Sequence, residues 1–250
     1  MENKAGVVGV IKALFRFPVK SMHGHRLDEA FLTGSGFAGD RRFAFVRADN
    51  HSNFPWLTSR QVNSMLRYEP YFTDPANPLE SSVRVTTPDR QDFPVDSPEL
   101  LAGLTAHYPA GAYLTGSQEG LFDDSAVSLI SLATINWLGE QAGLELDPCR
   151  FRPNLLVETL SGEPFEEEKW VGSVLQLGDR EDSPQIRLES QNIRCVMINF
   201  DPDTAQETPA VLREVARSRK NKAGLYGSVV RSGWVRAGDA ICLLPGHPTG

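Results

Sequence analysis

Residues 192–204 read NIRCVMINFDPDT, an apolar run in which a cysteine directly follows an arginine and which ends at an Asp-Pro-Asp-Thr turn. The alternation of side chains predicts a strand over residues 193–200, with Cys195 on one face and Arg194 on the other. A lone cysteine in such a strand is more often a small core residue, because free cysteine ranks among the most buried residue types. The adjacent arginine instead favours a thiolate, so the stretch by itself leaves a core residue and a reactive thiol both open.

The rest of the chain consists of many short runs of Val, Ile, Leu and Phe that are interrupted by Gly, Pro and Asp. This pattern is typical of a mostly β protein with a few helices, a mixed β/α class without regular β-α-β repetition. Strands are predicted within the ranges 7–18, 42–48, 82–88, 126–132, 154–160, 173–178, 185–190, 193–200 and 234–244. Helices are predicted within 97–108, 132–144 and 208–219, where capping pairs or apolar residues at helical spacing occur.

The composition limits the classes of function. With 250 residues, of which 40% are hydrophobic, the chain can form one large domain or two modest ones. Its net charge of −7 argues against a nucleic-acid partner, since binding to a phosphate backbone needs a basic face. No secretory leader is recognisable and no run approaches the roughly 20 apolar residues of a membrane span, so we expect a soluble cytoplasmic protein without a membrane partner. Three distant cysteines, Cys149, Cys195 and Cys242, form neither a disulfide framework nor a paired-cysteine metal site.

Several basic residues stand in otherwise neutral or apolar segments, which indicates a local basic pocket in an acidic chain. These residues are Lys20, Arg41, Arg42, Arg60, Arg150, Arg152 and Arg194. In FPVKSMHG, residues 17–24, the ammonium of Lys20 beside the hydroxyl of Ser21 suits an anion, although such pairs are also common in solvated turns.

Two further motifs of the first half point to the same pocket. In GDRRF, residues 39–43, Arg42 shares the face opposite Phe43 and Phe45 if the strand alternates, and it then faces a ligand or an exposed edge. In WLTSRQ, residues 56–61, Arg60 and two hydroxyls precede a short helical stretch. The first N–H groups of a helix attract anions, and the hydroxyls can equally serve as caps.

The motif RFRPN, residues 150–154, places two arginines at alternate positions of an extended segment. Arg150 and Arg152 then point to one side, beside the amide of Asn154, and together they suit a polar heteroaromatic ring with a phosphate. Surface arginines are the alternative. Elsewhere the five histidines show no metal-binding spacing, and we find no Gly-rich nucleotide loop and no GxSxG motif.

Five of these segments occur in an order that resembles a known family. They are FPVKS, GDRRF, RFRPN, CVMINFDPDT and, near the end, LYGSVV with VRAGDAICLL. In this order they resemble the MOSC family with its N-terminal β-barrel partner domain, a group that includes the mitochondrial amidoxime-reducing components and their bacterial relatives. The resemblance extends from about Val7 to Leu244.

The resemblance implies two β-barrel-like domains. We expect an N-terminal MOSC-associated barrel over residues 1–97, a connecting helix and linker over 98–119, a MOSC domain over 120–245 and a disordered tail over 246–250. A concentration of Pro, Asp and Ser over residues 74–98 agrees with a boundary in this part of the chain.

The resemblance also implies a molybdenum cofactor, Mo-molybdopterin, between the two domains, with Cys195 as the thiolate ligand of the metal. A soft thiolate is an appropriate ligand for molybdenum that the dithiolene sulfurs of the pterin also bind. Contacts to the pterin or its phosphate are expected from Lys20, Ser21, Arg42, Arg60, Ser131, Arg150, Arg152, Asn154 and Arg194. Asp201, in the turn after Cys195, is a second catalytic candidate that would orient substrate or solvent, and a structural role in the turn is an equal alternative.

The implied activity is the molybdenum-dependent reduction of N-hydroxylated or N-oxygenated small molecules. Only six residues follow Leu244, without a cysteine-rich extension, so we expect a separate electron-donor protein of the ferredoxin, cytochrome b5 or flavin reductase type. The alternative is a carrier of molybdenum cofactor or of sulfur, in which Cys195 holds a persulfide.

Overall fold

The computed structural model describes residues 6–244 as a β-rich fold with three α helices and four short 3-10 turns. The strands are β1 Gly6–Arg16, β2 His25–Leu27, β3 Glu29–Thr33, β4 Gly36–Phe37, β5 Phe43–Arg47, β6 Glu69–Phe72, β7 Val83–Thr86, β8 Asp92–Pro94, β9 Ala112–Gly116, β10 Val127–Ser131, β11 Leu155–Thr159, β12 Val174–Leu177, β13 Gln185–Ile193, β14 Lys222–Arg231, β15 Gly233–Arg236 and β16 Ala240–Leu243. The helices are α1 Pro98–Thr105, α2 Leu132–Ala142 and α3 Ala210–Arg219. Among the described residues, no helix is long and apolar enough to cross a membrane. The predicted class, mostly β with a few helices, is confirmed, whereas the predicted tail 246–250 lies outside the described residues.

Seven strands close into a barrel in the order β11, β10, β14, β13, β12, β16 and β1, because β1 also pairs with β11. Neighbouring strands of the barrel are antiparallel, except that β10 and β11 run parallel. Its interior is filled with fully buried apolar side chains, among them Leu129, Val157, Leu188 and Leu225. The barrel interior is therefore a packed core, and a ligand site has to lie outside it.

The first strand of the chain, β1, closes this barrel. β1 pairs with β16 and with β11, and its register shifts between Ile11 and Ala13. Gly9 is required at the contact with β11, because a Cβ atom there would lie 2.5 Å from the carbonyl oxygen of Glu158. Since β15 also pairs with β3, the N-terminal and C-terminal parts of the chain share two sheets. The domain limits inferred from the sequence remain a prediction.

The segment between β4 and β10 has a core of its own. β5 pairs with β9, and β6, β7 and β8 form an antiparallel meander. The core combines apolar side chains of these strands with those of α1 and of the segment after β1, including Met22, Phe45, Val85 and Leu100.

The three predicted helices are confirmed, and two of them have the caps expected from the sequence. Ser97 accepts a hydrogen bond from the backbone N–H of Leu100 at 3.1 Å, with Pro98 in the first turn of α1. Gly143 ends α2 in the left-handed conformation with φ of 69°, which glycine adopts without steric cost. Local sequence therefore determines where these helices begin or end.

The strand predicted over residues 193–200 is wrong beyond its first residue. β13 ends at Ile193, which is the last residue paired with β14, and Cys195 then caps a 3-10 turn over Val196–Asn199. The chain leaves the sheet because the buried Asn199 bonds to the segment that leads into α3. Its carbonyl accepts the N–H of Thr208 at 2.8 Å, and its side-chain oxygen accepts that of Leu212 at 2.8 Å.

Candidate functional site

A cavity of about 270 Å³ lies where the segment after β1 meets the turn after β13. Six basic residues line it, together with the carboxylates of Asp123 and Asp124. The basic residues are Lys20, Arg41, Arg60, Arg150, Arg152 and Arg194. The lining thus carries six basic and two acidic side chains in a chain whose net charge is −7, and two of the basic ones, Arg41 and Arg150, are paired with Asp40 and Asp201 behind the wall. Such a lining is suited to a small anionic ligand.

Arg152 is held at the cavity wall by contacts that leave one nitrogen free. Its Nη1 donates to the carbonyl oxygen of Met22 at 2.7 Å, and its guanidinium carbon lies 4.1 Å from the ring centroid of Phe17. Its Nη2 is buried and has no hydrogen-bond partner among the described residues. Burial, followed by the charge of Arg41, lowers the pKa of Arg152. An anion in the cavity would supply a hydrogen-bond acceptor and a negative charge that balances the buried guanidinium.

Arg194 is held in the same way from the other side. Its Nε donates to the carbonyl oxygen of Ala223 at 2.7 Å, and its Nη1 donates to that of Phe151 at 2.8 Å. Its Nη2 is also buried without a partner in residues 6–244. Burial lowers the pKa of Arg194. Arg152 and Arg194 therefore present preorganised guanidinium groups, because main-chain carbonyls hold them in place.

Lys20 and Ser21 lie in the cavity lining, as RFRPN also does. The ammonium of Lys20 lies 2.5 Å from the carboxylate of Asp123 and donates to the carbonyl oxygen of Leu121 at 2.8 Å. Burial lowers the pKa of Lys20 to about 8. Ser21 adopts a positive φ of 64°, and its carbonyl accepts a hydrogen bond from the hydroxyl of Ser59 at 3.0 Å. The motif FPVKS is thus a tight turn that brings both residues to the cavity.

Arg42 is not among the residues that line the cavity, and its neighbour Arg41 is. The Nη1 of Arg42 donates to the carbonyl oxygens of Pro78 at 2.9 Å and Ser81 at 2.7 Å. The sequence left open which of Arg41 and Arg42 faces the cofactor and favoured Arg42, because the alternation of β5 was extended backwards. β5 begins only at Phe43, and Arg41 has a positive φ of 47°, so the chain turns just before the strand.

A buried carboxylate, that of Asp40, forms an ion pair with Arg41 and holds it at the site. Asp40 is 2% exposed and accepts the backbone N–H of Phe17 at 2.7 Å. It also accepts the side-chain amide of Asn154 at 3.0 Å. Asn154 is itself buried at the cavity wall, where its side-chain oxygen accepts the N–H of Ser128 at 3.1 Å. Asp40 therefore connects the GDRRF motif to the RFRPN motif across the site.

Ser131 does not line the cavity, in contrast to the prediction. It is fully buried as the N-cap of α2, where its hydroxyl accepts the N–H of Thr134 at 3.1 Å and donates to the hydroxyl of Thr134 at 2.9 Å. The buried carboxylate of Glu167 binds both residues, through the N–H of Ser131 and the hydroxyl of Thr134. The hydroxyl of Ser131 thus caps α2 and makes its hydrogen bonds within the protein.

The remaining arginines predicted for the site, Arg60 and Arg150, line the cavity. The exposed Arg60 stacks over Phe54, with 5.0 Å between the guanidinium carbon and the ring centroid. Arg150 is buried and donates to the carbonyl oxygen of Asn199 at 2.9 Å and to the carboxylate of Asp201 at 3.0 Å. It therefore fixes the turn that carries Cys195.

Cys195 lies half-buried in the cavity lining, directly after Arg194. Asp201 does not line the cavity. One oxygen of Asp201 binds Arg150, and the other accepts the N–H and the hydroxyl of Thr204, both at 2.9 Å. This geometry is that of an Asx-type turn, so the structure favours the structural alternative for Asp201.

The two other cysteines lie in different surroundings. Cys242 is buried in β16, and burial raises the pKa of its thiol. Burial also raises the pKa of Cys149 to about 12. Cys195 is therefore the cysteine that combines partial exposure with a basic cavity among the described residues.

Sequence reasoning counted Arg41 among the residues of a basic pocket without choosing it as a site residue, and it missed Phe122, Asp123, Asp124 and Tyr226. The adjacent Asp40 is a sequence signal that could have favoured Arg41, since a buried carboxylate needs a partner. No signal marks the others. They come from the loop before β10 and from β14, which only the closed barrel brings to Cys195.

Comparisons with known proteins agree with this arrangement. The model of the MOSC domain matches residues 112–242, and that of the MOSC N-terminal beta barrel domain matches residues 8–117. The crystal structure of the YUAD protein from Bacillus subtilis superposes with a TM-score of 0.51 at 15% identity, over 96% of this chain and 97% of that one, and supports the fold.

Two curated relatives are longer proteins. A molybdenum cofactor sulfurase of Caenorhabditis briggsae is 24% identical over 91% of this chain and 35% of its own length. The mitochondrial amidoxime reducing component 2 of Rattus norvegicus is 31% identical over 54% of this chain and 41% of its own length. The matches thus span well under half of either relative. Since the two domain models together account for residues 8–242, the chain belongs to the MOSC family and has the N-terminal barrel domain associated with it.

Proposed function

We propose that this protein binds a molybdenum cofactor in the cavity and reduces N-hydroxylated or N-oxygenated small molecules, with Cys195 as the protein's ligand to the metal. The observation that carries the proposal is the half-buried Cys195 in a cavity lined by six basic and two acidic residues. A basic cavity suits the phosphate of the pterin, and a thiolate suits molybdenum. Electrons would come from a separate donor protein.

The residues present fit this cofactor. Arg152 and Arg194 line the cavity, and each has a buried Nη2 without a partner among the described residues, so an anionic pterin phosphate there would offset their charge. Lys20, Ser21 and Arg41 line the same cavity and would add an ammonium, a hydroxyl and a third guanidinium. When bound, the molybdenum cofactor supplies two-electron redox chemistry that can accept an oxygen atom from the substrate.

The residues of the chain would hold the cofactor and orient the groups around it. Main-chain carbonyls fix Arg152 and Arg194, so both guanidinium groups are in place before a ligand arrives. The ion pair between Arg150 and Asp201 holds the turn after Cys195, which keeps the thiol at the cavity. Phe122, Ile193 and Met197 also line the cavity and would exclude water beside a small substrate.

The likeness to the mitochondrial amidoxime reducing component 2 supports a reductase. The likeness to a molybdenum cofactor sulfurase, which extends over 91% of the chain, favours the second candidate, a carrier of cofactor or sulfur. In that case Cys195 would hold a persulfide. Both candidates require the thiol, and they differ in whether metal stays bound.

The test is the molybdenum and pterin content of the wild type, Cys195→Ala and Cys242→Ala, each purified from a host that makes the cofactor. We expect near-stoichiometric metal in the wild type and in Cys242→Ala, and background metal in Cys195→Ala with an unchanged melting temperature. Cys242→Ala is the matched control, because this thiol is buried away from the cavity. Equal metal in all three proteins would falsify the assignment of Cys195.

A second measurement separates the two candidate functions. Reduction of an aromatic hydroxylamine to the amine by the metal-loaded protein, with a chemically reduced viologen as electron source, is expected for the reductase. A metal-free wild type whose Cys195 carries an extra sulfur by mass spectrometry would instead support the carrier.

A further inference from the structure

Tyr226 is part of the cavity lining, and no role has been assigned to it so far. It lies in β14, which is bordered by β10 and β13, and it pairs with Ser128 on one side and Ser190 on the other. Ser128 also lines the cavity, as do Arg194 and Cys195 after the end of β13. The barrel thus brings a phenol to the same cavity as the thiol of Cys195.

The hydroxyl of Tyr226 is not engaged by the protein. Within residues 6–244 it makes no hydrogen bond, although the ring is mostly buried. Burial raises the pKa of Tyr226, and Asp123 and Asp124 raise it further, whereas Arg194 and Arg41 lower it. The phenol is therefore protonated at neutral pH, and two guanidinium groups lie close enough to stabilise the phenolate if the proton leaves.

Several other donors of the cavity are held by the protein. The ammonium of Lys20 binds Asp123 and the carbonyl oxygen of Leu121. Arg152 and Arg194 are fixed by main-chain carbonyls, and Arg41 is paired with Asp40. Tyr226 thus brings to the cavity lining a phenol that has no hydrogen-bond partner within residues 6–244.

We propose that Tyr226 donates a proton to the oxygen that leaves the substrate during reductive N–O cleavage. The inference rests on the proposed reductase function. The overall reaction breaks the N–O bond of R–NHOH, takes up two electrons and two protons, and yields R–NH₂ and water. The electrons come from the external donor protein. One proton comes from the phenol, which solvent in the open cavity then reprotonates, and the second comes from solvent.

The first test compares Tyr226→Phe with Tyr113→Phe in the metal-loaded protein, with reduced viologen and an aromatic hydroxylamine. Tyr113 is the matched control, because it is 55% exposed on β9 and does not line the cavity. We expect kcat of Tyr226→Phe to fall by about 100-fold, the order of a general-acid contribution, with KM within about twofold and unchanged molybdenum content. Tyr113→Phe should match the wild type.

A second readout is independent of turnover. The wild type minus Tyr226→Phe difference in phenolate absorbance should show one tyrosine that titrates above the ordinary range. Loading with the anionic cofactor should move this titration to higher pH, because the phenolate would form beside negative charge. An identical titration in loaded and cofactor-free protein would show that the hydroxyl does not face the cofactor, and would overturn the inference.

The outcomes separate this inference from the proposed function. Full kcat in Tyr226→Phe, with metal bound and the wild type active, overturns the proton donor and leaves the reductase intact. Loss of molybdenum from Tyr226→Phe also overturns it, since the tyrosine would then retain cofactor rather than donate a proton. A wild type without metal or turnover overturns the reductase, and the role of Tyr226 with it.

Discussion

Cys195 and Cys242 both lie in short apolar runs, IRCVMINF and AICLL, yet the fold gives them opposite surroundings. Cys242 pairs through its strand with Val7 of β1 on one side and Gln176 of β12 on the other, and it is 7% exposed. Cys195 lies past the end of β13, at the start of a 3-10 turn that faces a basic cavity. The composition of a run therefore does not tell a core thiol from one that lines a cavity.

The two cysteines differ in their surroundings because the residues next to them in sequence make different contacts. Arg194 still binds the partner side, through its backbone N–H to the carbonyl oxygen of Asn221 and through its Nε to that of Ala223 in β14, and the chain then leaves the sheet where the buried Asn199 bonds to the segment before α3. In the run around Cys242 no such residue interrupts the pairing, and the strand continues to Leu243. A buried asparagine that bonds to another segment can thus end a strand that apolar alternation would continue.

The largest expected effect is on thiol reactivity in cofactor-free protein. We expect iodoacetamide to alkylate Cys195 about 1000-fold faster than Cys242, because Cys242 reacts only after local opening of β16, whereas Cys195 is partly exposed. Cys149 should also be slow, since burial raises its pKa to about 12. Peptide mass spectrometry over a time course measures all three rates. Similar rates for Cys195 and Cys242 would remove the contrast between the two regions.

Gly224→Ala should disrupt the region of Cys195. Gly224 has a φ of +72°, and a Cβ atom would lie 2.6 Å from the carbonyl oxygen of Leu129 and 3.0 Å from Nη2 of Arg194. We expect a loss of about 2–3 kcal/mol in the free energy of unfolding, measured by urea denaturation, because strain and a backbone clash combine.

The matched control for that variant lies in the other region. Gly238 precedes β16 and has a φ of +92°, but a Cβ atom there would have no neighbour within 4 Å. Gly238→Ala should therefore cost only the backbone strain, about 1 kcal/mol. Equal losses in the two variants would mean that the contact with Arg194 and Leu129 is unimportant.

Anion binding to the cavity should weaken as pH rises through about 8. The pKa of Lys20 is lowered to about 8, so its ammonium loses the proton above this pH and no longer attracts an anion. We expect the affinity for sulfate, whose charge is constant in this range, to fall about tenfold between roughly pH 7 and 9 in cofactor-free protein. Isothermal titration calorimetry measures the affinity for sulfate at each pH. Lys20→Arg should remove the pH dependence, and a tenfold fall that persists in this variant would assign it to another group.

The smallest effect is expected from Cys242→Ala. The variant removes a small buried side chain from β16, and we expect a loss of about 1 kcal/mol of unfolding free energy by urea denaturation. Sulfate affinity should not change, because the residue does not line the cavity. A change in sulfate affinity would show that the two regions are coupled.

The sequence predicted the ends of helices well where these ends depend on neighbouring residues. The Ser97-Pro98 pair and Gly143 mark the helix ends that the structure has, because capping depends on residues within one turn. The alternation that predicted a strand through Asn199, and the one that chose Arg42 over Arg41, failed for one reason. Each assumed that a strand extends as far as its apolar pattern does, whereas a strand ends where its partner no longer pairs.

The β-rich class and the family could be inferred from the sequence alone. The same holds for the motifs from which five of the six basic residues of the cavity were predicted as site residues: Lys20, Arg60, Arg150, Arg152 and Arg194. The tertiary structure decided that β1 closes the barrel against β11, that Asp40 turns Arg41 toward Asn154, and that Tyr226 faces the cavity of Cys195. Two of these arrangements join residues more than a hundred positions apart, namely β1 with β11 and Asp40 with Asn154. Propensity and periodicity act over a few residues, so the convergence of distant side chains on one cavity follows only from the packing of the whole chain.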